Sequence, residues 1–399
     1  MAVSDTELVA HNGRSRSLAP FLTVQIVLLV ALLAGAAYRV QHFRQERSLP
    51  RLRSAPRMIN PTYDYPVVAS DEQLERVLHK LRPRDLGDRT KINHVDHALR
   101  FWGLGCNFEK GFLPGEKMRE LLVDHRLFAR VYGSEEPSLL IDVPRTAGVR
   151  LRTQQGRLTS SHYDHTMACL AEVGTPLDFP VHTPAGAKQF RDMVEQALRD
   201  FSLNQFEYEW SALTFALYLE SNQPWMSKEG QWIDFDRIAD RLMREEAPLG
   251  VCYGNHRLYT LTAFLRVDDS TPILTPEKRQ EILDYLHAMT VQLVKTQHST
   301  GFWNGEWADR RPESPTPRDR EGDRIADRIL ATGHALEWWA LAPEELHPPR
   351  PTLAAGGQWL VRTIDELSED DTQQLYTYLT HAGRSLLIWR GRDWPTSAP

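Results

Sequence analysis

The sequence predicts an all-α protein in which helix pairs, one amphipathic and one apolar all round, repeat six times and close into a ring behind a single membrane-spanning helix. Three observations carry this expectation. An uncharged run, Phe21 to Tyr38, lies near the N-terminus. Amphipathic and wholly apolar helical patterns alternate from Asp71 onward. The chain also resembles itself: "DHALRFWGLG" (Asp96 to Gly105) and "TGHALEWWAL" (Thr332 to Leu341), aligned on His97 and His334, share His, Ala, Leu, a Trp five residues on and a Leu seven on.

At 399 residues the chain has material for one large domain or two ordinary ones. Its net charge of -6 and pI near 6.2 exclude a nucleic-acid partner, because phosphate binding needs a basic surface and the Lys and Arg here are scattered among acids. Cys106, Cys169 and Cys252 lie in or beside apolar helical segments and read as buried thiols; being three, they leave at least one unpaired.

Residues 1–20 form a polar tail. Residues 21–38, "FLTVQIVLLVALLAGAAY", rise about 27 Å as a helix, just enough to cross a hydrocarbon core. Ala34, Gly35 and Ala36 would suit a signal peptidase, but the polar region before them is longer than in a usual cleaved signal, so a retained anchor is the preferred reading. Arg39, Arg44, Arg47, Arg51, Arg53 and Arg57 follow the span against one acid, Glu46, whereas only Arg14 and Arg16 precede it. The positive-inside rule then puts the main domain in the cytoplasm, with export as the alternative. Residues 39–69, rich in Arg and Pro, read as a tether along the membrane surface. The helical domain is expected over 70–394, with a tail at 395–399.

The amphipathic helices are "DEQLERVLHKLR" (Asp71 to Arg82), "AGAKQFRDMVEQALRDFSL" (Ala185 to Leu203), "IDFDRIADRLMREE" (Ile233 to Glu246) and "TPEKRQEILDYLHAMTVQLVKTQ" (Thr275 to Gln297). Asp71 and Thr275 are their expected caps. Between them lie the apolar segments, anchored on His97, His165, Ser211, His256, His334 and His381 at intervals of 68, 46, 45, 78 and 47. The unit is therefore about 46 residues with two insertions. Linear helical arrays have one exposed face; inner helices apolar on every side fit a closed ring better. The first insertion, Pro137 to Thr159, alternates apolar and polar residues about Ala147 and Gly148 and predicts a short β-hairpin. The second, Asn304 to Asp323, is a charged, proline-rich loop.

"LVKTQHSTGFW" (Leu293 to Trp303) resembles the QW repeat of squalene-hopene cyclases and the similar turn of protein prenyltransferase β subunits. The resemblance covers Asp178 to Trp394 loosely and this one repeat closely. It implies an (α/α)6 toroid with parallel inner helices, and a structural role for Gln297 and Trp303 in tying outer helix to turn. The family's catalytic motifs are not here. "SEDDT" (Ser368 to Thr372) lacks the first aspartate of the cyclase acid motif, so Asp370 and Asp371 read as helix N-terminal acids. The zinc set of the prenyltransferases has no counterpart at matching positions.

Two tetrapeptides remain, "HVDH" (His94 to His97) and "HYDH" (His162 to His165). On a helix, residues three apart share a face, so His94, His97, His162 and His165 are candidate ligands for a divalent metal, zinc or iron. Polar helix ends whose histidines bond to nearby carboxylates are the alternative. Asp96, His97, Asp164, His165, His256 and His334 are the candidate catalytic groups around the cavity, with imidazoles kept neutral by the positive ends of the inner helices. Glu306, between Trp303 and Trp307, is a further candidate acid over an aromatic sugar platform. The expected function is turnover of a small-molecule, glycan or isoprenoid ligand in the cavity by a hydrolase, lyase or cyclase. The alternative is a non-catalytic membrane-tethered binding or scaffold protein, its ring filled by Phe101, Trp102, Trp338 and Trp339.

Overall fold

Residues 19–46, 49–84, 90–108, 111–244, 252–308 and 325–395 are described by the structure, a computed structural model. The chain divides into two units, 1–48 and 49–399. In the first, α1 (Ala19–Glu46) contains the stretch Phe21–Tyr38, whose side chains are exposed throughout and whose length and composition suffice to cross a membrane.

The second unit is mostly helical. It runs through α2 (Asp71–Lys80), α3 (Ile92–Trp102), α4 (Gly115–Val123), α5 (His125–Tyr132), α6 (His165–Glu172), α7 (Phe190–Asp200), α8 (Glu209–Tyr218), α9 (Phe235–Arg244), α10 (Asn255–Asp268), α11 (Pro276–Thr296), α12 (Ile325–Leu341), α13 (Arg350–Glu366), α14 (Glu369–Gln374) and α15 (Tyr376–Trp389). The segments anchored on the repeated motif are α3, α6, α8, α10, α12 and α15. They are buried nearly all round, α8 at every residue. Each packs on the next, and α15 packs on α3, so their contacts run in a closed cycle. The amphipathic helices alternate with them and pack against them from α4 to α3, α7 and α9 to α8, α11 to α10, and α13 to α12 and α15. Contact of α13 with α2 joins the last of these helices to the first.

Helix ends follow local chemistry. Thr275 caps α11 as expected, its hydroxyl accepting from the Lys278 amide. At α2 the cap is Ser70 rather than Asp71, in a reciprocal capping box with Gln73. The expected starts at Ala185 and Ile233 are corrected. Residues Gly186–Gln189 are strand β4 paired with β3 (Pro180–Thr183), and Trp232–Ile233 is β6 paired with β5 (Trp225–Met226). The predicted hairpin is present as β1 (Leu140–Val143) and β2 (Gly148–Leu151), with Ala147 left-handed at the turn (φ 56°). Strand β2 lies on α7, where Gly148 leaves room for the Gln196 side chain.

The turn after α11 works as a tie. Gln297 donates to Gly301 O and Thr352 O, both at 2.9 Å, and the Trp303 indole donates to Leu293 O at 2.8 Å. One motif thus joins α11, its own turn and the start of α13. Asp370 and Asp371 lie exposed in the first turn of α14, where Ser368 caps the helix.

The reading of residues 39–69 as a tether is corrected. Residues 39–46 continue α1, and from Leu49 the chain packs on the helical body. Arg57 is buried, and its guanidinium donates to Ala216 O (3.1 Å), Leu219 O (2.5 Å) and Glu220 O (3.1 Å). It satisfies a carbonyl in the last turn of α8 and those of the two residues that follow the helix. Arg390 donates to Asp64 and Ala69 O, and Gly357 on α13 has no side chain where the Val68 carbonyl passes. The strap therefore belongs to the domain. The tails, 1–18 and 396–399, and most of the proline-rich loop, 309–324, lie outside the described residues.

Candidate functional site

One aromatic ring from each of α3, α6, α8, α10, α12 and α15 meets the rings of its two neighbours. The centroid distances are 4.6 Å for His97 and His165, 4.5 Å for His165 and Trp210, 4.5 Å for Trp210 and His256, 4.6 Å for His256 and His334, 4.0 Å for His334 and His381, and 5.1 Å for His381 and His97. The circle closes on itself. Four of the expected catalytic histidines and His381 are in it. At α8 the member is Trp210 and not Ser211, whose hydroxyl turns away to Asp164 Oδ2 at 2.5 Å. The expected register is off by one at that helix because the motif there has no histidine to fix it.

Two buried carboxylates hold the imidazoles. Asp96, fully buried on α3, accepts from His97 Nδ1 at 2.8 Å, His165 Nδ1 at 3.2 Å and the Thr166 hydroxyl at 2.7 Å. Glu337 Oε2 accepts from His334 Nδ1 at 3.1 Å and lies 3.4 Å from His381 Nδ1. These bonds fix Nδ1–H for His97, His165 and His334 and leave Nε2 as the basic nitrogen. His165 Nε2 is met by the Cys169 thiol at 3.5 Å, and His334 Nε2 faces His256 Nε2 at 3.2 Å.

Burial decides the charge. It holds the His165 imidazole down at about 4 and pushes His256, His334 and His381 below their ordinary range, so these rings are neutral at pH 7. The helix-end field expected from the sequence is not the main cause. His165 and His256 begin their helices, but His97, His334 and His381 lie more than a turn inside theirs. Burial raises the Asp96 carboxyl, but the charges and hydrogen bonds of His165 and His97 outweigh it and keep it low.

One turn further along the inner helices, an ionic layer underlies the ring. Arg100 bonds Glu172 at 2.6 Å and Glu337 at 2.8 Å; Arg384 bonds Glu337 at 2.6 Å and Glu172 at 3.2 Å; Tyr259 donates to Glu172. Two cations and two anions balance, so burial is tolerated. The sequence reading missed Arg100, Tyr259, Glu337 and Arg384 as a set. Their signal was present, since each stands three residues after an anchor histidine, on the same face of its helix.

On the other side of the ring a pocket of about 200 Å³ opens among Asn93, His97, Ser161, His162, Cys252, His256, Leu330, Thr377, Tyr378 and His381. Its walls are the first two turns of α3, α12 and α15, the start of α10, and the segments preceding α6 and α10. Phe101, Trp102, Trp338 and Trp339 are fully buried but do not line it. Trp339 donates outward to Thr290 on α11, and Trp102 donates to the Tyr376 hydroxyl.

Several expected roles are corrected. "HYDH" is not helical over its length: His162 and Tyr163 lie in a turn, Asp164 is left-handed (φ 57°), and α6 starts at His165. His162 reaches the pocket from that turn and bonds Glu207 at 3.2 Å. His94 stacks edge-on against Tyr376, away from the circle, and burial lowers it to about 4. The four-histidine metal set is therefore not assembled. Among the described residues, the groups whose ligand atoms lie within 4.8 Å of one another are Asp96 with His97 and His165, His334 with Glu337 and His381, and Cys252 with His256 and His334. Asp164 turns to Ser211 and away from the histidines, its carboxyl raised by burial to about 6. Trp303 and Trp307 are fully buried, so they offer no open platform for a sugar, and Glu306 does not line the pocket.

Fold and site together define a mostly helical protein with an N-terminal apolar helix and a buried imidazole circle at the floor of a polar pocket. Comparison with known protein families, with characterised proteins and with solved structures finds no match.

Proposed function

We propose that the chain is a membrane-anchored (α/α)6 toroid that acts on a small polar ligand in the pocket above its histidine circle, as a hydrolase or lyase. The closed cycle of inner-helix contacts and the alternating outer helices support the toroid. One observation carries the catalytic reading: His97, oriented by the buried Asp96, and the neutral imidazoles of His256 and His381 line a cavity with room for a ligand. Such rings present an unprotonated nitrogen to the cavity at neutral pH, able to accept a hydrogen bond or bind a metal. A plug with no ligand to serve has no need of the open volume beside it.

The lining chooses among substrates. Asn93, Ser161, His162, Thr377 and Tyr378 offer hydrogen bonds, and about 200 Å³ is small for an isoprenoid chain, so a glycan fragment, uronate or comparable polar molecule fits better than a cyclase substrate. Arg39, Arg44 and Arg47, directly after the apolar stretch, favour a cytoplasmic domain. Arg57 no longer belongs to that count, being buried in the body.

The test is turnover of a panel of glycosides, uronates and polar esters by the full chain in detergent, with His97→Ala and His256→Ala alongside. The reading expects a substrate whose conversion falls at least about 100-fold in both variants while helicity is unchanged. Absence of turnover and of ligand binding, with both variants strongly destabilised, would put the scaffold reading ahead.

A further inference from the structure

We propose that Cys252, His256 and His334 bind one zinc ion, with a fourth position open to the pocket. The inference deepens the reading of this pocket as a site that acts on a ligand, and rests on it only for the use of that fourth position.

The two ring nitrogens supply the first argument. His334 Nδ1 is committed to Glu337, so its Nε2 presents a lone pair, and it faces His256 Nε2 at 3.2 Å. A tetrahedral zinc with bonds of about 2.0 to 2.1 Å sets its two nitrogen ligands about 3.3 Å apart. The pair already stands at that separation. Without metal, the contact requires a proton on His256 Nε2. Yet His256, only 3% exposed, has no hydrogen-bond partner for Nδ1 among the described residues, so only the His334 contact itself favours that tautomer. Moving the proton to Nδ1 frees both Nε2 lone pairs for one ion.

Cysteine completes the set. Cys252 offers its sulfur within 4.8 Å of the ligand atoms of both histidines and lines the same pocket as His256. Its backbone is left-handed (φ 49°), as are Tyr253 (φ 61°) and Gly254 (φ 79°), an expensive run for two residues with side chains, and it delivers Cys252 to the start of α10 beside the histidines. A thiolate with two imidazoles is a donor set that suits zinc. Binding releases one proton, that of the thiol, since the His256 proton only changes nitrogen.

The other two candidate groups are less suited, because their carboxylates are already spent. Asp96 accepts three hydrogen bonds, and Glu337 is shared by Arg100, Arg384 and His334. In the proposed site Glu337 keeps that work as a positioning residue, holding His334 in the ligating tautomer.

The experiment is elemental analysis of the full chain purified in detergent, followed by exchange of the bound metal for cobalt(II) and its electronic spectrum, with no substrate present. The proposal expects one zinc per chain, tetrahedral cobalt bands, and a thiolate-to-cobalt charge-transfer band. That band should vanish in Cys252→Ser. Glu337→Gln should weaken zinc about 10- to 100-fold, and His97→Ala should retain one equivalent. A chain that takes up neither ion, or a metal lost in His97→Ala but kept with its spectrum unchanged in Cys252→Ser, overturns the assignment. Metal bound without turnover of any substrate would leave the site standing and count against the hydrolase or lyase reading instead.

Discussion

Asp96 shows how much one side chain decides. Its two oxygens gather His97, His165 and Thr166 from two helices, so Asp96→Ala should strand three buried donors and cost on the order of 3 to 5 kcal/mol, read as a lowered unfolding midpoint in denaturant. His165→Ala removes one of those donors and does not strand Asp164, whose partner is Ser211. Its expected cost is smaller, about 1 to 3 kcal/mol. Titration follows from the same burial. His165 ionises at about 4 in the fold and near 6.5 when unfolded, so the unfolded chain binds more protons between those values. Its contribution is full above pH 6.5 and is lost as pH falls toward 4, on the order of 3 kcal/mol for this residue. The lowered values of His256, His334 and His381 act in the same direction. Asp164, raised to about 6, offsets most of the His165 contribution, since its stabilisation is present below 3.8 and lost as pH rises through 6; the lowered His256, His334 and His381 leave the net direction unchanged. Melting temperatures between pH 7 and 5 should therefore fall steeply, and a flat profile would contradict the neutral circle.

Elements were legible where their period was strong. The burial of the inner helices and the cap of α11 could be read from the sequence, because apolar spacing and capping chemistry are local. The hairpins β3–β4 and β5–β6 could not. "GAKQ" has no apolar alternation, and the strand pair is held by contacts made elsewhere in the fold, such as Thr183 donating to Asp142 at 2.7 Å. The strap was missed for a related reason. Arginine and proline suggested a tether, while the buried role of Arg57 depends on where α8 ends, more than 150 residues away. Arg57→Ala should uncap α8 and cost on the order of 3 kcal/mol by chemical denaturation. A chain beginning at Ser70 should be markedly less stable than one beginning at Leu49, whereas equal melting curves would restore the tether. For the site, anchor histidines could be found by repetition; their shared carboxylates, and the replacement of Ser211 by Trp210, depended on helix rotation that spacing does not encode.

At the scale of the whole molecule, the N-terminal helix is long and apolar enough to cross a membrane, and the proposed anchoring can be tested directly. The full chain should remain with membranes after alkaline extraction, and protease added outside spheroplasts should spare the body; digestion from outside would reverse the proposed orientation. The central claim is that six helices close about a buried circle of aromatic rings in which His165, His256, His334 and His381 are neutral imidazoles. Its most direct test is a pH titration of the full chain labelled with nitrogen-15 histidine, followed by imidazole nitrogen resonances. The account predicts that His165 and His334 appear as neutral Nδ1–H tautomers at pH 7, with His165 staying neutral until the pH nears 4. Rings that titrate near 6.5, as solvated imidazoles do, would mean that the circle is open to water and the account is wrong.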